Sequence, residues 1–121
     1  MSGSKILVDT NIFINLGSGN FNVDKEIKGK TVYFSAITEI ELLGFHGITE
    51  GERLFYTEIL SQCILLDISY SIRVLAIKLR KKYKLKTPDA IIAASALELQ
   101  IPLITSDKQF NKIKELDIFL I

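Results

Sequence analysis

Three aspartates stand where a carboxylate is chemically informative. Asp9 closes the short apolar run Lys5-Ile6-Leu7-Val8, and Asp107 follows Pro102-Leu103-Ile104-Thr105, nearly the whole chain later. Both runs read as buried strands. Asp89 follows Thr87-Pro88, read as a helix cap with proline in the first turn, and heads the apolar stretch Asp89 to Gln100. Each acid alone has a plainer role: Asp9 in a turn, Asp89 against a helix dipole, Asp107 as a cap. In an open parallel sheet, however, the carboxyl ends of the strands share one edge, where ligands bind, so these distant acids can meet. A fourth acid comes from the segment 36–45, where Glu39 and Glu41 fall on opposite flanks of the stripe Ile37, Ile40, Leu43 and Gly44. Periodicity does not choose between them.

Two carboxylates ~5 Å apart repel by roughly 3 kcal/mol at an effective dielectric near 20. A group of them must raise one another's pKa values or hold a counterion. An oxygen-only donor set suits Mg²⁺ or Mn²⁺. One histidine, His46, and one cysteine, Cys63, do not make a zinc site. His46 reads as a surface residue near a helix end, and Cys63, beside Ile64, Leu65 and Leu66, as a buried structural thiol.

The elements that must position these acids follow from periodicity and turn signals. Strands are expected at Lys5–Asp9, Thr31–Phe34, Cys63–Leu66, Pro102–Thr105 and Asp117–Leu120. Helices are expected at Thr10–Leu16, before the loop Gly17-Ser18-Gly19-Asn20, and at Ala36–Phe45 behind a Ser35 cap. Thr49 and Glu52 form a capping-box pattern opening a helix with Leu54, Phe55, Ile59 and Leu60. Ile72, Leu75, Ala76, Leu79 and Tyr83 mark an amphipathic helix. The helix Asp89–Gln100 is apolar nearly all round and should be deeply buried, and a short helix is expected over Gln109–Lys114. Strands alternating with helices, apolar on both faces, indicate an α/β protein with a parallel sheet covered on both sides.

Composition narrows the class. The chain has 121 residues, 48% hydrophobic, which reads as one domain over residues 5–121 behind a flexible leader or expression remnant, Met1-Ser2-Gly3-Ser4. A lone cysteine excludes an internal disulfide, and no apolar stretch reaches the ~18 residues of a membrane span, so a cytoplasmic location is expected. The net charge of +1 does not announce a nucleic-acid binder. Distribution does more: the run Lys78 to Lys86, with Arg80, Lys81, Lys82, Lys84 and Lys86, leads directly into Asp89. Such a run can hold phosphates, or be a solvated helix end favoured by the dipole.

With these segments in view, the sequence resembles the PIN-domain family, and in particular the VapC-like toxins of toxin–antitoxin pairs, from Lys5 onwards. Ile6-Leu7-Val8-Asp9-Thr10-Asn11 resembles the family's opening, whose aspartate is a metal ligand. Ser35-Ala36-Ile37-Thr38-Glu39-Ile40-Glu41-Leu42 resembles the second motif and selects Glu41 over Glu39. Thr87-Pro88-Asp89-Ala90-Ile91-Ile92-Ala93-Ala94 is similar to the third, and Leu103-Ile104-Thr105-Ser106-Asp107-Lys108-Gln109-Phe110 to the fourth. The resemblance implies a three-layer fold with strand order 3-2-1-4-5 and a Mg²⁺- or Mn²⁺-dependent endoribonuclease. It also implies a small antitoxin that blocks the site; a homodimer is expected besides.

On this reading Asp9 and Asp89 hold a metal directly, while Glu41 and Asp107 hold a second or orient its waters. Asn11, Thr105 and Ser106 would fix carboxylate geometry, or serve only in turns and caps. Two competitors are a Mg²⁺-dependent phosphatase or phosphotransferase using Asp9 as nucleophile, and a PIN-like module that binds without catalysis.

Overall fold

The computed structural model describes residues 4–19 and 21–121; Met1 to Gly3 of the expected leader, and Asn20 of the expected loop, lie outside the described residues. Five strands, β1 (Lys5–Val8), β2 (Thr31–Ser35), β3 (Ile64–Leu66), β4 (Leu103–Thr105) and β5 (Ile118–Leu120), form one parallel sheet of order β3-β2-β1-β4-β5. The helices are α1 (Thr10–Gly17), α2 (Phe21–Ile27), α3 (Ala36–Leu43), α4 (Glu50–Ser61), α5 (Tyr70–Lys82) and α6 (Thr87–Leu99). A 3-10 turn spans Lys108–Lys112.

The central strands are buried on both faces because their side chains alternate between two cores. Leu7 and Leu103 point into one, with Ile72, Leu79 and the buried wall of α6. Ile6, Val8 and Ile104 point into the other, with Ile12, Phe13, Leu42, Tyr56 and Leu60. α6 is as enclosed as its composition requires: Ala90, Ile92, Ala93, Ala94, Ser95 and Ala96 are all buried. The predicted capping box of α4 is present, with Glu52 N–H donating to Thr49 Oγ1 (3.1 Å) and Thr49 N–H to Glu52 Oε1 (2.9 Å).

Several expectations are corrected. α2 had no counterpart in the sequence reading. Thr87 is not the cap of α6; the cap position is Lys86, without a side-chain hydrogen bond, and Thr87 and Pro88 lie in the first turn. α3 stops at Leu43, and Gly44 follows because a Cβ there would sit 2.6 Å from the Ile40 carbonyl oxygen. The α3 stripe is also rotated: Thr38 and Leu42 are buried, whereas Ile40 is 64% exposed. On α4 the inward residues are Tyr56 and Leu60, leaving Leu54 and Phe55 outside. Cys63 is half-buried rather than buried, and burial pushes its thiol pKa up. The last predicted helix is the 3-10 turn, two residues earlier at its end.

Candidate active site

In the order β3-β2-β1-β4-β5 the chain reverses its direction of travel across the sheet between β1 and β4, which opens a crevice at their carboxyl ends. Asp9 follows β1 directly, and its amide extends the ladder by donating to Ile104 O at 2.9 Å. Asp107 lies two residues past β4. Glu41 stands on α3, which leaves the end of β2, and Asp89 in the first turn of α6, where the dipole favours a carboxylate. All four acids line one cleft of about 480 Å³, together with Thr10, Asn11, Ile14, Phe45, Glu52, Tyr56 and Ile92.

Each carboxylate is held differently. Asp9 is 5% exposed. Its Oδ1 accepts from Thr10 N (2.8 Å) and its Oδ2 from the buried Thr105 hydroxyl (2.7 Å). Thr105 Oγ1 in turn accepts from Asp107 N (3.0 Å), so one hydroxyl fixes both β1 and β4 acids. Asp107 Oδ1 accepts from Gln109 N (2.9 Å); the residue caps the 3-10 turn and lines the cleft at once. Glu41 Oε1 accepts from Thr10 Oγ1 (2.6 Å), and Thr10 Oγ1 lies 2.9 Å from Thr38 Oγ1. Because Thr10 has one hydroxyl proton and gives it to Glu41, the buried Thr38 must donate to Thr10. The chain Thr38→Thr10→Glu41 therefore has one direction.

Electrostatics bear the mark of crowded acid. Burial raises the Asp9 carboxyl above its ordinary value, opposed by the Thr105 and Thr10 hydrogen bonds and reinforced by Asp89 and Glu41. Asp89 is raised by burial, then by Asp107 and Glu41, and drawn back by Lys86 and Lys112.

The fold agrees with the comparison of the sequence against family models, in which residues 6–116 match the PIN domain. The chain belongs to the PIN-domain family. PIN domains are, as a family, nucleases. Among solved structures, a toxin–antitoxin complex from Klebsiella pneumoniae aligns at 32% identity and a TM-score of 0.82, over 96% of this chain and 99% of that one. DNA-bound VapBC from Salmonella typhimurium has the same fold, with a TM-score of 0.85 at 18% identity over 95% and 96% of the two chains. VapBC2 from Rickettsia felis, bound to a promoter DNA fragment, aligns at 0.80 and 21% over 96% and 98%. Comparison with curated protein sequences gives no match.

Within this PIN domain the donor set fits a hard divalent ion. Its donors are all oxygens, two of its carboxyls are raised by burial and then by crowding, and Asn11 Oδ1 is buried with no hydrogen-bond partner among the described residues. Among the described residues no three acid, histidine or cysteine side chains close tightly on one point. The four acids instead stand around the cleft wall.

Of the remaining sequence candidates, Asn11 lines the cleft and Thr105 ties Asp9 to Asp107, whereas Ser106 is half-buried and does not line the cleft. The basic run divides. Arg80 Nε donates to Leu85 O (3.1 Å), and Lys82 pairs with Glu115 (3.0 Å), which also accepts from the Tyr83 hydroxyl (2.6 Å). Lys81 and Lys84 are exposed, while Lys86 lies near enough to the cleft to act on Asp89. Sequence reasoning passed over Thr10, Thr38 and Lys112. Thr38 precedes Glu41 by three residues on one helix, a spacing that places both on one face. Lys112, with its ammonium on Lys84 O (2.7 Å), carried no such signal.

Proposed function

We propose that the chain is a Mg²⁺- or Mn²⁺-dependent endoribonuclease, the cytoplasmic VapC-like toxin of a toxin–antitoxin pair. The gathering of Asp9, Glu41, Asp89 and Asp107 in one cleft is the observation that carries this reading. The likeness to a toxin–antitoxin complex at 32% identity supports the partner, a small antitoxin protein, and a second copy of the chain would complete a homodimer.

Asp9 and Asp89 would hold the ion, with Glu41 and Asp107 holding a second or its waters. When bound, such an ion activates water at neutral pH and stabilises the departing oxygen of a phosphodiester. The protein's share is orientation. Thr10 and Thr105 fix both oxygens of Asp9, the Thr38→Thr10 chain fixes Glu41, and Asn11 lines the cleft beside them. Lys86 and Lys112 place positive charge beside Asp89, where a phosphate must approach.

The deciding assay is cleavage of end-labelled single-stranded RNA with Mn²⁺, Mg²⁺ or chelator. Asp9→Asn should fold and lose cutting. Metal-independent cutting, or wild-type rates from a folded Asp9→Asn protein, would overturn the assignment.

A further inference from the structure

Asp9, Glu41 and Asp107 are tied together by hydrogen bonds, and Asp89 is not. Thr105 joins Asp9 to the Asp107 amide, and Thr10 joins Asp9 to Glu41. The Asp89 carboxylate has no hydrogen bond among the described residues, so its place is set by the backbone that carries it. The first turn of α6 gives little hold of its own. Lys86, at the cap position, makes no side-chain hydrogen bond, Thr87 and Pro88 are exposed, and Pro88 has no N–H. Full burial of the helix begins at Ala90. The segment leading into this turn, Tyr83 to Lys86, therefore decides where Asp89 stands.

That segment lies against the one that follows Asp107. Leu85 is buried in the same core as Phe110, Ile113 and Leu116. Hydrogen bonds cross this apolar seam. Lys112 Nζ donates to Lys84 O at 2.7 Å, Lys114 N to the Tyr83 hydroxyl at 3.2 Å, and that hydroxyl to Glu115 Oε1 at 2.6 Å. A carboxylate only accepts, so the Tyr83 proton points to Glu115 and a lone pair faces Lys114. This hydroxyl, ahead of Lys82, holds the Glu115 carboxyl down to about 2, so the acceptor stays charged through the neutral range. The Lys82–Glu115 pair crosses the same seam but is exposed at both ends, where an ion pair contributes little.

We infer that Lys112 and Tyr83 are positioning residues: they clasp the turn capped by Asp107 to the loop that delivers Asp89, and so set the spacing of these two acids across the cleft. The inference rests on the divalent-ion reading of the acids and adds what holds the one acid that no hydroxyl reaches. Charge and position predict opposite signs for Lys112. Its ammonium acts on Asp89, so as a mere counter-charge it opposes a cation in the cleft, and its removal should tighten Mn²⁺ binding. As a clasp, its removal frees the Asp89 turn and weakens that binding. Tyr83→Phe isolates position from charge, because it keeps the ring packed and deletes only the hydroxyl that bridges Lys114 and Glu115.

The test titrates Mn²⁺ calorimetrically into the metal-free full chain, with melting temperatures as the check of folding. Tyr83→Phe and Lys112→Met should each weaken Mn²⁺ binding severalfold, short of the roughly 10–100-fold lost with a group that touches a metal ligand. Lys112→Arg keeps a donor for Lys84 O and should restore binding. Lys81→Met removes an exposed charge outside the clasp and should change nothing. A Tyr83→Phe protein that binds Mn²⁺ like the wild type would overturn the inference, as would Lys112→Met binding as tightly as the wild type or more so. Tyr83→Phe decides the matter by itself should Lys112→Met fold poorly. A wild type that binds no Mn²⁺ would take the metal reading of the acids down as well. One that binds Mn²⁺ through Asp9 but cuts no RNA would sink the ribonuclease reading and leave the clasp standing.

Discussion

Replacing Thr105 by valine keeps the shape of a fully buried side chain and deletes one hydroxyl. That hydroxyl donates to the buried Asp9 carboxylate at 2.7 Å and accepts from Asp107 N at 3.0 Å. A hydrogen bond to a charged group contributes about 1.5–3 kcal/mol, and leaving an amide unpaired costs about 1 kcal/mol more. The extra methyl returns about 0.8 kcal/mol of apolar burial. The expected net loss is about 2–3 kcal/mol, or ~8–12 °C in melting temperature for a chain of this size. Thr105→Ser keeps both hydrogen bonds and loses only a methyl, about 1 kcal/mol. Calorimetry of the metal-free proteins should therefore place serine above valine, although valine fills the space better. Valine should also push the Asp9 carboxyl further up, moving the acid limb of the cleavage profile to higher pH. A valine variant as stable as the serine one would refute the reasoning, since packing would then outweigh the polar link between β1 and β4.

Glu41→Gln should lose cleavage and weaken Mn²⁺ binding in calorimetric titration, whereas Glu39→Gln should alter neither; the reverse would mean the wrong acid on α3 was chosen. Thr38→Val, which removes the donor behind Thr10, should weaken Mn²⁺ binding several-fold, and Thr38→Ser should restore it; equal binding by both would reduce Thr38 to packing. Asp9 and Asp89 have raised folded pKa values, so their contribution to stability is full below the ordinary value of 3.8 and is lost as pH rises through the folded values. Metal-free protein should therefore melt higher at mildly acid pH than at pH 7, with Mg²⁺ closing the gap; no such difference would mean the carboxylates are not crowded. Neutralising Lys86 should weaken RNA binding and lower its log–log salt slope by roughly 0.7 for the lost contact, while neutralising Arg80 and Lys82 should not, because internal partners already hold them.

The sheet and most helices were legible because their signals are local. Alternation of Ile6, Leu7 and Val8 between two cores, the Thr49–Glu52 box and the apolar wall of α6 are written in neighbouring residues. The rotation of α3 was not, because it answers to Thr38, a polar residue buried by its bond to Thr10 across 28 positions. Hydrophobic periodicity scores such a residue as surface and Ile40 as core, the opposite of what is found. The choice of Glu41 needed the motif for the same reason. The division of the basic run was hidden too, since it depends on Glu115 reaching Lys82 from outside the run and on the chain turning back so that the Leu85 carbonyl meets Arg80.

The bond between Thr105 and Asp9 spans 96 positions and bears on how the protein is made. A ribosome adding on the order of 5–20 residues per second delivers Asp9 and Glu41 seconds before β4. A nascent chain that stops short of β4 has no strand for the Asp9 amide to join, no hydroxyl for its carboxylate and no fourth acid. The cleft cannot exist on such a chain. Any activity seated in this cleft therefore waits for the last strands to be made.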